Sequence, residues 1–303
     1  MRKIVVLGSS NTDLVVRAQR MPEAGETIMG DKFVMAAGGK GANQAVAVAR
    51  LGGDVQFIAK LGCDMFGDKA VEGYKAEGLD TSTILRDEYA ASGVALITVD
   101  ENAENCIVVA PGANNKLSCS DVDAMRSHIE GAQFLLMQLE VPMDVVEHAA
   151  SIAHAAGVKV VLNPAPAAEI SGELLSKVEI ITPNRTEIQL LTGVAVTDLE
   201  SAERAAKVLL DRGVHQVVVT LGSLGALACD GERFVHIPAR KVEPVDTTAA
   251  GDTFNGAMCV ALCEGRTLSD AVRFATVSSS IAVTRFGAQP SIPYRREVDE
   301  LFN

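Results

Sequence analysis

The sequence contains no tryptophan, aromatics make up only 4% of its residues, and no window forms a dense basic stripe with interleaved aromatics. Lys and Arg total 27 against 39 Asp and Glu, a formal net charge of −12, which argues against nucleic acid as a partner. An apolar run of membrane length is also lacking. The longest stretch free of Asp, Glu, Lys and Arg, Gly213 to Cys229, is interrupted by Gly222 and Gly225, whereas a membrane helix needs about 20 mostly apolar residues. The opening Met1-Arg2-Lys3-Ile4-Val5-Val6-Leu7 is too short for a signal peptide and is followed at once by polar Asn11 and Asp13. No membrane partner is expected, and a cytoplasmic location is.

Several chemistries are excluded by missing patterns. The six cysteines, Cys63, Cys106, Cys119, Cys229, Cys259 and Cys263, include no CxxC pair and read as reduced thiols. Cys259 and Cys263 would share a helical face, but no His or Cys lies nearby at ligand spacing, so packing is their expected role. The five histidines, His128, His148, His154, His215 and His236, show neither HExxH nor triad spacing. Gly8-Ser9-Ser10-Asn11-Thr12-Asp13 does not meet GxGxxG, which disfavours a nucleotide-dependent oxidoreductase. Lys40 is followed by Gly41 instead of Ser or Thr, so the nearby glycines are not a Walker loop.

What remains is an α/β pattern. Short apolar, β-branched runs (Ile4–Leu7, Val55–Ala59, Phe134–Leu139, Val158–Leu162, Ile180–Ile181, Val217–Thr220) recur between amphipathic segments such as Asp198–Arg212. Continuous apolarity indicates strands covered on both faces, hence a doubly wound, mainly parallel sheet. Two stretches, about 14–37 and about 93–109, look like hairpins and would form a small β-layer projecting from the main sheet, or else ordinary edge hairpins. No linker divides the 303 residues, so one domain over 1–303 is expected.

The chemistry concentrates in a few glycine-rich and small-residue segments. In Val245-Asp246-Thr247-Thr248-Ala249-Ala250-Gly251-Asp252-Thr253-Phe254, a strand-like approach ends in small residues and an apolar helix, Phe254 to Leu262, begins just after Asp252. Ala249, Ala250 and Gly251 would leave backbone N–H groups open at a helix N-terminus, where unpaired donors and the dipole attract anions. A carboxylate beside such a phosphate cradle has a reason if Asp252 takes a hydroxyl proton as that oxygen attacks a phosphoryl group. The alternative is that Asp252 merely caps the helix. Gly38-Gly39-Lys40-Gly41-Ala42-Asn43-Gln44 suits a polyhydroxyl ligand, because glycines permit close approach and Asn43 can both donate and accept. Pro183-Asn184-Arg185-Thr186-Glu187 should sit at the carboxyl end of a strand, with Asn184 and Glu187 orienting water around Mg²⁺, or else forming a Pro-Asn turn that caps the next helix. Thr220-Leu221-Gly222-Ser223-Leu224-Gly225 follows another strand and would lie against a nucleotide.

Together these segments resemble the PfkB carbohydrate kinases, the ribokinase family, nearly end to end. Gly39-Lys40-Gly41-Ala42-Asn43 is similar to the family's first signature, and the Asp246 to Phe254 stretch to its second. The resemblance implies a ribokinase-like fold whose two hairpin stretches form a β-sheet lid, through which two copies pair as a homodimer. It implies ATP-dependent phosphorylation of D-ribose at the 5-hydroxyl, with Asp252 as base and an anion hole at Ala249, Ala250 and Gly251. The sugar would be held by Asn11, Asp13, Gly39, Lys40, Gly41, Ala42, Asn43 and Glu140. ATP would meet Asn184, Thr220, Leu221, Gly222, Ser223, Leu224, Gly225, Gly251 and Thr276. Mg²⁺ would be served indirectly by Glu187, and K⁺ as activator by Asp246, Thr248, Ala282, Arg285, Gly287 and Ser291, some through backbone carbonyls. Many family members carry Gly where Ala249 stands, yet Ala still exposes its N–H. The competing readings are a kinase for 2-deoxyribose or a hexose, and a non-catalytic sugar-binding regulator. A nucleoside is a poorer fit, since a base would need a larger apolar or aromatic pocket than Asn11 and Asp13 suggest.

Overall fold

A computed structural model describes residues 3–102 and 104–302. Met1 and Arg2, at the expected first strand, and Ala103, inside the second hairpin stretch, lie outside the described residues. The strands in chain order are β1 (Lys3–Leu7), β2 (Asn11–Ala18), β3 (Gly30–Gly38), β4 (Asp54–Gly62), β5 (Ile84–Asp87), β6 (Gly93–Val99), β7 (Asn105–Ala110), β8 (Phe134–Met137), β9 (Lys159–Leu162), β10 (Val178–Ile181), β11 (Gln216–Thr220), β12 (Ala226–Cys229) and β13 (Phe234–Ile237).

Nine of these form one sheet in the order β13-β12-β11-β10-β9-β8-β1-β4-β5. It is parallel from β5 to β11, and the β11–β12 and β12–β13 pairs are antiparallel, so β12 alone runs against the other strands of this sheet. The β1 strand shows why its sequence is continuously apolar. Val5 and Leu7 pack into one core with the Met143–Ala155 and Leu199–Asp211 helices, while Ile4 and Val6 pack into a second with the Lys40–Arg50, Ala250–Cys263 and Leu268–Ala282 helices. Each face therefore buries its own apolar layer. Among the described residues, no helix is long and apolar enough to cross a membrane.

The chain builds β4 and β5 on one side of β1, then β8 to β11 on the other, so the strand order reverses at β1. Open α/β sheets bind ligands outside the carboxyl ends of their strands at such a reversal. The chain leaves β1 there through Ser9 and Ser10, and leaves β8 through Gln138 and Glu140. From the same end the chain twice departs into a separate four-stranded sheet, ordered β3-β2-β6-β7. Its root is tied by buried Asn114, whose Oδ1 accepts from Ser10 N–H (2.9 Å) and whose Nδ2 donates to Asn11 Oδ1 (2.8 Å).

Several expected boundaries shift, two of them beside the site. The run Phe134–Leu139 stops being strand at Met137, because Gln138 turns its amide to Gln44 and Leu139 N–H reaches Ala165 O at 3.0 Å. The apolar helix expected after Asp252 starts earlier, at Ala250.

Candidate active site

Asp252 lies in the first turn of the Ala250–Cys263 helix, but it is not the cap. That position belongs to Ala249, whose left-handed backbone (φ 58°) makes it the one non-glycine with positive φ among the described residues. The capping alternative for Asp252 thus fails. Its carboxylate instead turns toward the Lys40–Arg50 helix, where Oδ2 accepts from Asn43 Nδ2 (2.9 Å) and Oδ1 from Gln44 Nε2 (3.0 Å). Asn43 Oδ1 is buried without a hydrogen-bond partner, an acceptor left open beside the carboxylate. Burial holds Asp252 above the usual carboxylate range even though Lys40, Asn43 and Gln44 favour its charge.

The helix N-terminus next to it is partly engaged. Ala250 N–H donates to Thr247 O (3.2 Å), and the regular ladder starts with Thr253 N–H on Ala249 O (2.8 Å). Gly251 N–H precedes that ladder, where donors have no intrahelical acceptor.

The first glycine segment needs its glycines. Gly39 sits at φ 89°, and a Cβ on Gly41 would come within 2.6 Å of Gly8 carbonyl carbon. Helix Lys40–Arg50 is thereby drawn against the end of β1. Glu140 Oε2 accepts from Lys40 N–H (3.0 Å) and from Ser9 Oγ (2.5 Å), a carboxylate at a helix N-terminus that lacks a side-chain cap. Burial works against the Lys40 ammonium, but Asp252, Glu140, Glu187 and Asp13 together raise its basicity. Asp13, on β2, is pushed up to about 6 by burial first and then by the charges of Glu140 and Asp252. Asn11, Asp13, Asn43, Glu140 and Asp252 are thus gathered around Lys40 at the junction of the two sheets.

The two segments expected to face nucleotide also meet. Thr220 N–H donates to Pro183 O (3.0 Å), and Arg185 Nη2 donates to Leu221 O (2.8 Å), ahead of the Gly222–Leu224 turn. Asn184 and Glu187 form a reciprocal capping box on the Arg185–Thr192 helix, so the turn-and-cap alternative is realised here. Burial nonetheless holds the Glu187 carboxyl above the usual carboxylate range, and it feels both Lys40 and Asp252, so it borders the site. Thr276 gives its hydroxyl to Val272 O (2.8 Å) within its own helix.

The residues expected around K⁺ converge in part. Asp246 Oδ1 accepts from Thr248 N–H and Oγ1, and Oδ2 from Gly287 N–H (2.9 Å). Burial opposes its charge, yet these hydrogen bonds hold it below the usual carboxylate range. Ala282 ends the Leu268–Ala282 helix, where carbonyls carry partial negative charge. An ionised carboxylate beside such carbonyls is a hard-oxygen setting that fits a monovalent cation. The Arg285 side chain is paired with Glu297, which leaves its backbone for any such role. Ser291 Oγ is buried and donates to Ala288 O.

Sequence reasoning gave no role to Gln44, Gln138, Asn163 or Asn114, all buried and all hydrogen-bonded within this site. The available signal was a polar residue closing the apolar run at Gln138.

A family model of pfkB carbohydrate kinases matches residues 1–295. The chain belongs to the PfkB family. It is therefore a carbohydrate kinase, with the ribokinase-like α/β fold. A ribokinase of Haemophilus influenzae is 47% identical over 301 residues, covering 99% of this chain and 98% of that protein. A deoxyribokinase of Salmonella typhimurium is 36% identical and covers 98% of this PfkB chain and 97% of its own. The structure of an Arabidopsis thaliana ribokinase complexed with ribose and ATP aligns with TM-score 0.93 at 34% identity, over 100% of this chain and 99% of that one.

Proposed function

We propose that this PfkB kinase transfers the γ-phosphoryl group of ATP to the 5-hydroxyl of D-ribose, with Asp252 as general base. The observation that carries the reading is the placement of Asp252: first turn of a helix, not its cap, buried, and held through both oxygens by Asn43 and Gln44. Such a carboxylate is fixed in direction and keeps free lone pairs to receive a proton. Similarity to ribokinases over the whole chain supports ribose as the sugar.

In this mechanism Asn11, Asp13, Asn43 and the backbone of Gly39 to Ala42 hold sugar hydroxyls, and Glu140 fixes the helix end that carries them. As Asp252 removes the hydroxyl proton, the ribose oxygen bonds to the γ-phosphorus and the bond to the β,γ-bridging oxygen breaks, releasing ADP. N–H groups of Ala249, Ala250 and Gly251 take up charge on the phosphoryl oxygens. Gly251 does so as it stands, whereas Ala250 must exchange Thr247 O for the phosphoryl oxygen. The segment Thr220 to Gly225, with Asn184 and Thr276, borders the nucleotide. Mg²⁺ bound to the phosphates would neutralise their charge, and Glu187 suits an indirect hold through water because Asn184 already occupies both its oxygens. K⁺ would sit at Asp246, Thr248, Ala282, Arg285, Gly287 and Ser291 and steady the loop before Ala249.

The four-stranded sheet acts as a lid within a single domain, excluding water from the reaction, and its exposed apolar rows pair two copies. Reduced thiols at Cys63, Cys106, Cys119, Cys229 and Cys259, with ATP as co-substrate, support a cytoplasmic setting. Asp252→Asn is expected to bind ribose and ATP in calorimetry while turnover drops by roughly two or more powers of ten; near-normal turnover would remove the assignment. The similarity to a deoxyribokinase favours 2-deoxyribose as the second reading. Comparing kcat/KM for ribose and 2-deoxyribose, with and without K⁺, decides between them.

A further inference from the structure

Gln44 and Gln138 are fully buried, and the reaction as proposed leaves both without a task. Gln138 stands just beyond β8 and Gln44 in the second turn of the Lys40–Arg50 helix. A buried primary amide needs partners for two donors and one carbonyl. Gln44 satisfies all of them in one orientation. Its Nε2 donates to Asp252 Oδ1 and to Asn163 Oδ1, each at 3.0 Å, and its Oε1 accepts from Gln138 Nε2 at 2.6 Å. Turning the amide over would set oxygen against two oxygens at one end and NH₂ against NH₂ at the other. The Asp252 carboxylate and Asn163 Oδ1, whose own Nδ2 donates to Thr182 O, therefore hold Gln44 with its donors toward the carboxylate, and Gln138 Nε2 fills its remaining acceptor and braces it there. The space for Gln138 comes from Gly8, where a Cβ would overlap Gln138 Oε1.

We propose that Gln44, braced by Gln138, is a positioning residue for phosphoryl transfer: it pins one oxygen of Asp252 so that the carboxylate stays ionised and aimed at the substrate hydroxyl. The inference rests on Asp252 being the base. Its surroundings make the donor matter. Burial favours the protonated acid, with Glu140 adding to it, and Lys40, Asn43 and Gln44 oppose this. The charged groups facing the carboxyl are Lys40 from its helix, Asp13 from β2, Glu140 from beyond β8 and Glu187 from the Arg185–Thr192 helix. Removing the Gln44 donor leaves burial less opposed, so Asp252 keeps its proton to higher pH. A base works only when ionised, and activity is then lost at a higher pH as the solution is acidified.

The test is the pH dependence of kcat/KM for ribose at saturating ATP, in wild type, Gln44→Leu, Gln138→Leu and Asp252→Asn, with ribose binding and thermal melting measured on each. The acid limb is expected to move up by about one pH unit in Gln44→Leu and in the same direction, by less, in Gln138→Leu. Gln138 does not touch Asp252, so its variant carries the readout even where Gln44→Leu folds poorly. Folded, ribose-binding variants whose acid limb stays in place, or whose activity falls equally at every pH, overturn the positioning role. If Asp252→Asn keeps its turnover, the base assignment itself fails; if it is inactive while the limb does not move, only the role of Gln44 fails.

Discussion

On the small sheet, Asp13 shows how a carboxylate proposed to hold the sugar can work against the fold that carries it. Burial, then Glu140 and Asp252, push its carboxyl up to about 6, against an ordinary value of 3.8. Because the folded value is the higher one, folding takes up a proton between about pH 4 and 6. The associated stability is fully present below the ordinary value and is lost as pH rises through about 6. At neutral pH the ionised group therefore destabilises the unliganded protein by up to about 3 kcal/mol. Asp13→Asn is expected to raise the midpoint of denaturant unfolding at pH 7, with the difference gone by about pH 4, while weakening ribose binding. An unchanged midpoint at pH 7 would show that the carboxyl is not strained in the free protein.

The Ala250–Cys263 helix begins on an alanine in the left-handed region, a conformation that costs an L-residue on the order of 1 kcal/mol. Ala249→Gly relieves that strain, partly offset by the greater freedom of glycine in the unfolded chain. The variant should be as stable as the parent or more so by up to about 1 kcal/mol, with turnover within a few-fold, as checked by chemical denaturation and the kinase assay. A clear loss of stability would mean that the alanine methyl packs usefully. This start was only half legible in the sequence: small residues before an apolar run marked a helix N-terminus, but Ala249 as its cap depends on a backbone angle that no residue pattern reveals. The buried strands were legible because apolarity on both faces writes a continuous run, as at Ile4–Leu7. Strands β5, β12 and β13, four residues each, were not. The buried amides escaped for another reason. Gln44 and Gln138 have meaning only as partners, and 94 residues separate them.

At the scale of the molecule, the reversal of strand order at β1 brings chain ends from β1 and β8 and the root of the small sheet to one place. Every sugar-site residue expected from the sequence lies on these segments or on the helices beginning at Lys40 and Ala250. The small sheet, in contrast, is apolar on both faces and little covered. Directly paired residues share a face, so Met35, Leu14, Leu96 and Val108 form one row, and Val34, Val15, Ile97 and Ile107 form another on the side that carries Asp13. Phe33 is 62% exposed and Val108 67%, exposed apolar area of the kind the proposed contact between copies would cover. Pairing of two lids would cover it. Ile107 and Val108 are neighbours on β7 that point to opposite faces, so Ile107→Asp and Val108→Asp each place a carboxylate on one face only. At least one of them should weaken self-association by about tenfold or more in analytical ultracentrifugation, since each removes an apolar side chain that pairing would bury and sets an unpaired charge in its place. Ile107→Asp, on the Asp13 side, should also raise KM for ribose. If both variants associate as tightly as the parent, the lid is not the contact between copies.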